Sequence, residues 1–287
     1  MTASPKIPEI TSWQGIPWPQ VEARVHTLQR RIYRAEQQGQ RRKVKSLQRL
    51  LLRSTSAKLL AVRRVTQDNQ GKRTPGVDGV AFLEPQERCR LVQNLNLAQP
   101  ARPVRRIWIP KPGTEEKRPL GIPTIADRAA QALVKLAVEP QWEARFEPNS
   151  YGFRPGRSCH DALEAIFNEI RYKPKYILDA DIAKCFDRIG HQALLDKIDT
   201  FPLLRRRIHG WLKAGVLDGG QLFPTQEGAP QGGVLSPLLA NIALHGLEEA
   251  VAAAFPKTSR VTGAKERWTP AVIRYADDCA PGNVCSR

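Results

Sequence analysis

Cysteine is scarce in this chain and badly spaced for structural use. The five thiols, Cys89, Cys159, Cys185, Cys279 and Cys285, are scattered, odd in number and without a CxxC pair. That pattern speaks against a zinc site or a disulfide framework. No apolar run approaches the roughly 20 residues a membrane-spanning helix needs. The segment Met1 to Gly15 is polar and lacks the hydrophobic stretch of a secretory leader. The chain therefore reads as cytoplasmic, with no membrane partner. It contains no internal repeat, no low-complexity tract, no nucleotide P-loop and no Ser-His-Asp arrangement. Acidic residues are also in short supply: 28 Asp and Glu face 45 Lys and Arg, a formal net charge of +17 over 287 residues. An imbalance of this size concentrates polyanions near the surface, and nucleic acid is the commonest of them.

The basic residues are concentrated near the start. Val21, Val25, Leu28, Ile32 and Ala35 recur at helical spacing, and a second helical stretch runs from Arg41 through Val44, Leu47, Leu51 and Leu59 to about Val65. Between Val21 and Arg64 the only acids are Glu22 and Glu36, against many cations including Arg30, Arg31, Arg42 and Lys43. Charge this one-sided repels itself in isolation and points to nucleic-acid contact. Turn formers fill 67–80, and a short helix is expected over 85–97. Arg105–Pro110 and Arg118–Pro123 predict a basic β-hairpin around a polar connection. Helices are expected over 126–146, 161–170, 191–198, 201–217 and 236–254, with strands over 176–182 and 272–275. His160 and His191 read as hydrogen-bonding residues at helix starts. Helices and strands mix without regular βαβ alternation, which favours an α/β or α+β fold over a doubly wound sheet.

Acids that carry chemistry stand out against the basic background. Asp277 and Asp278 are adjacent after an apolar run, and Asp181 ends another such strand, with Asp179 as its competitor because residues two apart point the same way. Neighbouring carboxylates repel unless a cation lies between them, and Mg²⁺ is the hard cation that suits carboxylate and phosphate oxygens. Three such acids with two Mg²⁺ ions would make the two-metal arrangement for phosphoryl chemistry.

Several segments, in order, extend this reading: Gly71-Lys72-Arg73-Thr74-Pro75-Gly76-Val77-Asp78-Gly79, Ile109-Pro110-Lys111, Arg118-Pro119-Leu120-Gly121-Ile122-Pro123, Asn149-Ser150-Tyr151-Gly152-Phe153-Arg154, Asp179-Ala180-Asp181-Ile182 with Cys185-Phe186-Asp187, Pro230-Gln231-Gly232-Gly233 through Asn241, and Arg274-Tyr275-Ala276-Asp277-Asp278. Together they resemble the group II intron reverse transcriptase (intron-encoded maturase) family over about residues 71–278. The resemblance implies a right-hand polymerase with fingers and palm: a basic helical region over 1–80, fingers over 81–175 and palm over 176–287. It implies an RNA-directed DNA polymerase that takes deoxynucleoside triphosphates and template-primer, and group II intron RNA as a partner in a maturase role. Asp181, Asp277 and Asp278 become the catalytic metal ligands, with Ile182 beside them. Phe186 matches the aromatic that excludes a ribose 2′-OH, and Gln231 the residue against the nascent base pair. Lys111 and Arg118 match the grip on the triphosphate, with Lys117 in reserve because Pro112 to Lys117 is long for this position. Arg154, Arg157 and Arg205-Arg206-Arg207 are expected template or primer contacts, and Ala229 stands where the family usually has Thr.

The family continues beyond the paired acids into a closing strand, more palm and a helical thumb. Here Cys279 to Arg287 places Pro281 and Gly282 where a strand is needed. The expectation is a palm incomplete at its end and no thumb, unless a partner chain supplies one. An RNA-binding maturase fragment without polymerase activity and an inactive remnant of a truncated gene remain the alternatives, with an RNA-making polymerase behind them.

Overall fold

The computed structural model describes residues 12–111, 113–172, 175–254 and 270–284. The polar N-terminal segment as far as residue 11, Pro112 in the hairpin connection, and Cys285 to Arg287 lie outside the described residues. Three helices open the fold: α1 (Trp18–Gln37), α2 (Arg41–Arg53) and α3 (Thr55–Arg63). Val21, Val25, Ile32 and Ala35 form the buried stripe of α1, as their spacing predicts. The single helix expected over 41–65 is broken at Ser54, whose ψ of 125° is extended. The break frees α3 to bury Ala57, Leu59, Leu60, Ala61 and Val62 against the central helix, an almost all-round apolar surface that a continuous helix would leave partly in water.

Helix α4 (Pro85–Asn94) precedes strands β1 (Val104–Pro110) and β2 (Lys117–Ile122), which pair antiparallel as the expected hairpin. Then come α5 (Ile125–Glu143), α6 (Cys159–Ile170), β3 (Lys175–Ile177), β4 (Ala180–Asp181), α7 (His191–Ile198) and α8 (Pro202–Leu212). The chain ends with β5 (Val216–Asp218), β6 (Gln221–Phe223), α9 (Ser236–Leu244), α10 (Leu247–Ala254), β7 (Ala271–Tyr275) and β8 (Asp278–Val284). The helix expected over 201–217 stops early because Val216 and Leu217 pair parallel with β1. Gly246, at φ +94°, splits the helix expected over 236–254.

Two four-stranded sheets result. One runs β2-β1-β5-β6, so a hairpin from late in the chain extends the early one. In the other, β8 lies between β7 on one side and β3 and β4 on the other. Buried α5 carries the main core, which continues through α1–α3 and α7–α9. The architecture is mixed α/β in the α+β sense, as expected. No helix among the described residues is long and apolar enough to cross a membrane.

The strand expected over 176–182 is interrupted at Leu178 and Asp179, and the expectation that Pro281 and Gly282 break a strand is overturned. Asp278–Val284 is a full strand, paired with β7 from Tyr275↔Asp278 to Ala271↔Gly282. Pro281 is tolerated because β3 pairing reaches Gly282 and β4 pairing starts at Cys279. Pro281 therefore faces the break between them, where a missing N–H costs no ladder bond.

Candidate active site

The paired acids sit on a two-residue hairpin turn. Tyr275 closes β7, Asp278 opens β8, and Ala276 and Asp277 form the loop. Only the first loop residue has positive φ, Ala276 at +60°. A two-residue hairpin accepts that geometry, but it is normally given to glycine. Two other segments, together with Arg274 of β7 itself, impose it here. Gly152 lies so close that a Cβ there would collide with the Ala276 backbone nitrogen. Asn241 Nδ2 donates to the Gly152 carbonyl at 2.8 Å. Arg274, 2% exposed, donates to Asn241 Oδ1 at 3.0 Å, the Ala276 carbonyl at 2.8 Å and Ser150 Oγ at 2.6 Å. Backbone bonds from Tyr151 N to Arg274 O (2.8 Å) and from Arg274 N to Asn149 O (2.9 Å) close the frame. Ser150, Gly152, Asn241 and Arg274 are site residues that sequence reasoning alone misses. Each lies in a quoted motif, but their partners are far apart in sequence.

The same turn brings the three acids to one edge of the sheet. Asp181 and Asp278 are direct register partners across β4 and β8, and Ile182 N–H donates to the Asp277 carbonyl at 3.2 Å. Asp179 falls in the break between β3 and β4, so register singles out Asp181 from its competitor. The Ile182 carbonyl accepts from Cys185 N–H at 3.1 Å, which leaves it one free lone pair. Partial burial raises the Asp278 carboxyl above its ordinary value, and the charges of Asp277, Asp181 and Asp179 add to the rise. Burial, then the Asp277 charge, pushes the Cys185 thiol up to about 11. Burial is the larger cause of both shifts, and the neighbouring acid charges add to it, with Arg274 partly opposing the rise at Cys185. Hard carboxylate oxygens on converging backbones fit a divalent ion as donors. Among the described residues no three His, Cys, Asp or Glu side chains already form a closed metal cluster. The edge therefore offers donors and charge rather than a preformed coordination shell.

A family model described as reverse transcriptase (RNA-dependent DNA polymerase) matches residues 109–281, and another, the N-terminal domain of reverse transcriptase, matches residues 13–95. This chain belongs to the reverse transcriptase family. Protein YkfC of Escherichia coli (strain K12) is 35% identical over 272 residues, covering 81% of this chain and 69% of that protein. The group II intron-encoded protein LtrA of Lactococcus lactis subsp. cremoris is 39% identical over 208 residues, covering 70% of this chain and 34% of LtrA. Among solved structures, a partial Cas6-RT-Cas1–Cas2 complex aligns over 84% of this chain and 39% of that chain, with a TM-score of 0.48 and 19% identity. Reverse transcriptases as a family use divalent metal ions, in keeping with the donor set.

The acids lie on the β3/β4–β8–β7 sheet, and the expected phosphate-binding cations lie on the β1–β2 hairpin. Directly opposed residues share a face, and residues two apart on a strand share one too. Arg118 opposes Ile109, and Lys111 lies two residues beyond Ile109, its N–H prolonging the ladder to the Glu116 carbonyl at 2.8 Å. Lys111 and Arg118 thus share a face, whereas Lys117, opposite Pro110, takes the other. Lys111 Nζ is engaged by Glu116 Oε2 at 2.6 Å, and this contact holds the Glu116 carboxyl below its usual range. Gln231 lies in a loop tied to β2, its carbonyl accepting from Gly121 N–H at 2.6 Å. Nearby, Arg106, Asp187, Glu227 and Gln231 help line a cavity of about 170 Å³. Phe186 lies half-buried on the short turn Cys185–Arg188, its carbonyl accepting from Ala229 N–H at 2.7 Å.

Among the expected nucleic-acid contacts, Arg30, Arg31, Arg42, Lys43 and Arg157 are exposed. Arg154 is not. It is 8% exposed, paired with Glu143 at 2.8 Å and donating to the carbonyls of Glu147 (3.0 Å) and Ser150 (2.7 Å). Its guanidinium braces the Asn149–Arg154 segment from inside, so it is unavailable to phosphate. Arg207 is likewise buried against Asp127 at 2.8 Å, and Arg205 is held by Asp196 at 2.7 Å. His191, by contrast, does what a helix-start histidine should, with Nε2 2.7 Å from the Gly228 carbonyl.

Proposed function

We propose that this chain is an RNA-directed DNA polymerase of the group II intron type, catalysing template-directed deoxynucleotidyl transfer on two Mg²⁺ ions. The observation that carries this reading is the pairing of Asp181 with Asp278 across β4 and β8, with Asp277 locked in the adjoining turn. Asp181, Asp277 and Asp278, with the free lone pair of the Ile182 carbonyl, would hold the ions. When bound, the metals supply charge neutralisation and an acidified primer hydroxyl. The carboxylates would present hard oxygens from rigid strands. Lys111 and Arg118, on one face of the fingers hairpin, would meet the triphosphate, Lys111 as a point charge and Arg118 as a bidentate fork. Engaging phosphate requires Lys111 to exchange Glu116 for the ligand. Phe186 would pack against the sugar where a 2′-OH would project, and Gln231 against the nascent base pair. The exposed cations of α1 and α2 favour a second role, binding intron RNA. We divide the chain into a basic helical region over 1–80, fingers over 81–175 and palm over 176–287, with β5–β6 returning to the fingers sheet.

Primer extension on an RNA template with Mg²⁺ tests the assignment. Asp278→Ala is expected to abolish extension while leaving the circular dichroism spectrum and RNA binding intact. Extension that persists in this variant overturns the site.

A further inference from the structure

Phe153 has the backbone of a glycine and the side chain of a core residue, and it behaves as neither. Its φ is +61°, a left-handed conformation that costs a bulky residue about 1–2 kcal/mol. Burial does not offset that cost, because Phe153 is 46% exposed. Both chain neighbours force the conformation. On one side, Gly152 is wedged against the Ala276 backbone and its carbonyl is held by Asn241. On the other, Arg154 is anchored inward by Glu143. The outcome is a ring held out at the edge of the acid turn, meeting the ring of Phe186 edge-on at 6.2 Å with an interplanar angle of 71°. That arrangement is a favourable one for an aromatic pair.

Phe186 needs such a contact. It follows Lys184, itself at φ +55°, and its backbone is fixed by the bond from Ala229. Its ring packs only partly against the main core. The backbone bond sets where the ring is rooted but not how it is turned about χ1 and χ2. A half-buried phenyl with one open flank can swing between staggered rotamers, and a wall that swings does not exclude a hydroxyl. Phe153 closes the open flank.

We propose that Phe153 is a specificity-positioning residue: its ring fixes the orientation of Phe186, so discrimination between deoxyribo- and ribonucleoside triphosphates depends on Phe153 although Phe186 meets the sugar. The proposal rests on the reading of Phe186 given above. It also explains why a phenylalanine occupies a position whose backbone suits glycine.

Phe153→Gly separates this role from a structural one, because glycine accepts φ +61° without strain. A residue kept for the fold alone gives a variant of lower melting temperature with unchanged selectivity. The proposal expects the folded Phe153→Gly variant to lose selectivity roughly tenfold, whatever its melting temperature, and Phe153→Tyr, which keeps the ring, to retain it. Selectivity is read in two ways with the full chain, Mg²⁺ and an RNA template. One is the ratio of single-nucleotide extension with dTTP and UTP. The other is the ratio of their stabilisation of the complex with a 3′-dideoxy-terminated primer, which requires no turnover. Phe186→Ala is expected to lower both ratios, and the double variant to lower them no further than Phe186→Ala alone, because the two rings act as one unit. Selectivity that falls with Phe186→Ala but not with Phe153→Gly overturns the proposal, as do losses that multiply in the double variant. Selectivity unmoved by Phe186→Ala overturns the reading of Phe186 and this proposal together, and that result is distinct from the other two.

Discussion

Ala276 and Gly152 are complementary at the level of single atoms. Alanine occupies the left-handed position of a hairpin turn, where it costs about 1–2 kcal/mol, and glycine occupies the position that presses against it. Exchanging the demands gives opposite outcomes. Ala276→Gly removes the strain but adds about 0.5–1 kcal/mol of chain entropy to the unfolded state, so a net gain of up to about 1 kcal/mol is expected in urea denaturation. Gly152→Ala drives a methyl into the Ala276 amide, which is backbone and cannot step aside. A loss of about 1–3 kcal/mol is expected, with extension reduced because the turn carrying Asp277 is displaced. An equally stable Gly152→Ala variant would show that the turn is held by the Arg274 bonds alone. The quoted motifs contain both residues, but nothing local in either says that the Gly152 backbone rests on Ala276. The same holds for Arg154: its acid partner Glu143 lies on α5, and only the fold shows the guanidinium turning inward rather than toward phosphate.

Strands announced themselves where side chains alternate or end in chemistry, as in the β1–β2 hairpin and β7. Helix breaks did not, because apolar residues resume at Ala57 beyond Arg53-Ser54-Thr55-Ser56, in a helix buried nearly all round. Strand β8 was hidden for a different reason. Proline is read as a strand breaker, and only the gap between β3 and β4 shows that Pro281 forfeits no bond. That hidden pairing has a measurable electrostatic consequence. It sets Asp278 directly opposite Asp181, and like charges facing across a ladder destabilise it. The Asp278 carboxyl is raised in the fold, by burial first and then by the charges of Asp277, Asp181 and Asp179. A raised carboxyl contributes stability that is fully present below the ordinary aspartate value of about 3.9 and lost as pH rises through the folded-state value. In EDTA, Asp278→Asn is therefore expected to melt above the wild type at pH 7, with the gap closing as pH falls toward 4. Mg²⁺ is expected to close the gap at pH 7 by raising the wild type alone. A gap independent of both pH and Mg²⁺ would show that the acids do not share a cation site.

Over the whole molecule, the net charge of +17 overstates what a polyanion can reach. Arg154, Arg207 and Arg274 are buried in pairs or networks, where they stabilise the interior and release no counterions. Accessible charge includes a group on α1 and α2, where Arg30, Arg31, Arg42 and Lys43 face solvent. Counterion release separates these two populations. For a single strand, log affinity falls with log salt by about 0.7 per phosphate neutralised. Replacing all four exposed cations with alanine is expected to reduce that slope by about 2–3, leaving the melting temperature nearly unchanged, since single surface substitutions move stability by about 0.5 kcal/mol or less. Arg154→Met is expected to do the reverse. It leaves Glu143 and two carbonyls without their donor, lowering stability by about 1–3 kcal/mol while preserving the salt slope of the folded protein. Fluorescence anisotropy with a labelled single-stranded RNA across a salt series, run beside thermal melts, measures both quantities. If the four-fold variant keeps the full slope, RNA is not held by α1 and α2, and the basic N-terminal helices serve the fold rather than the intron.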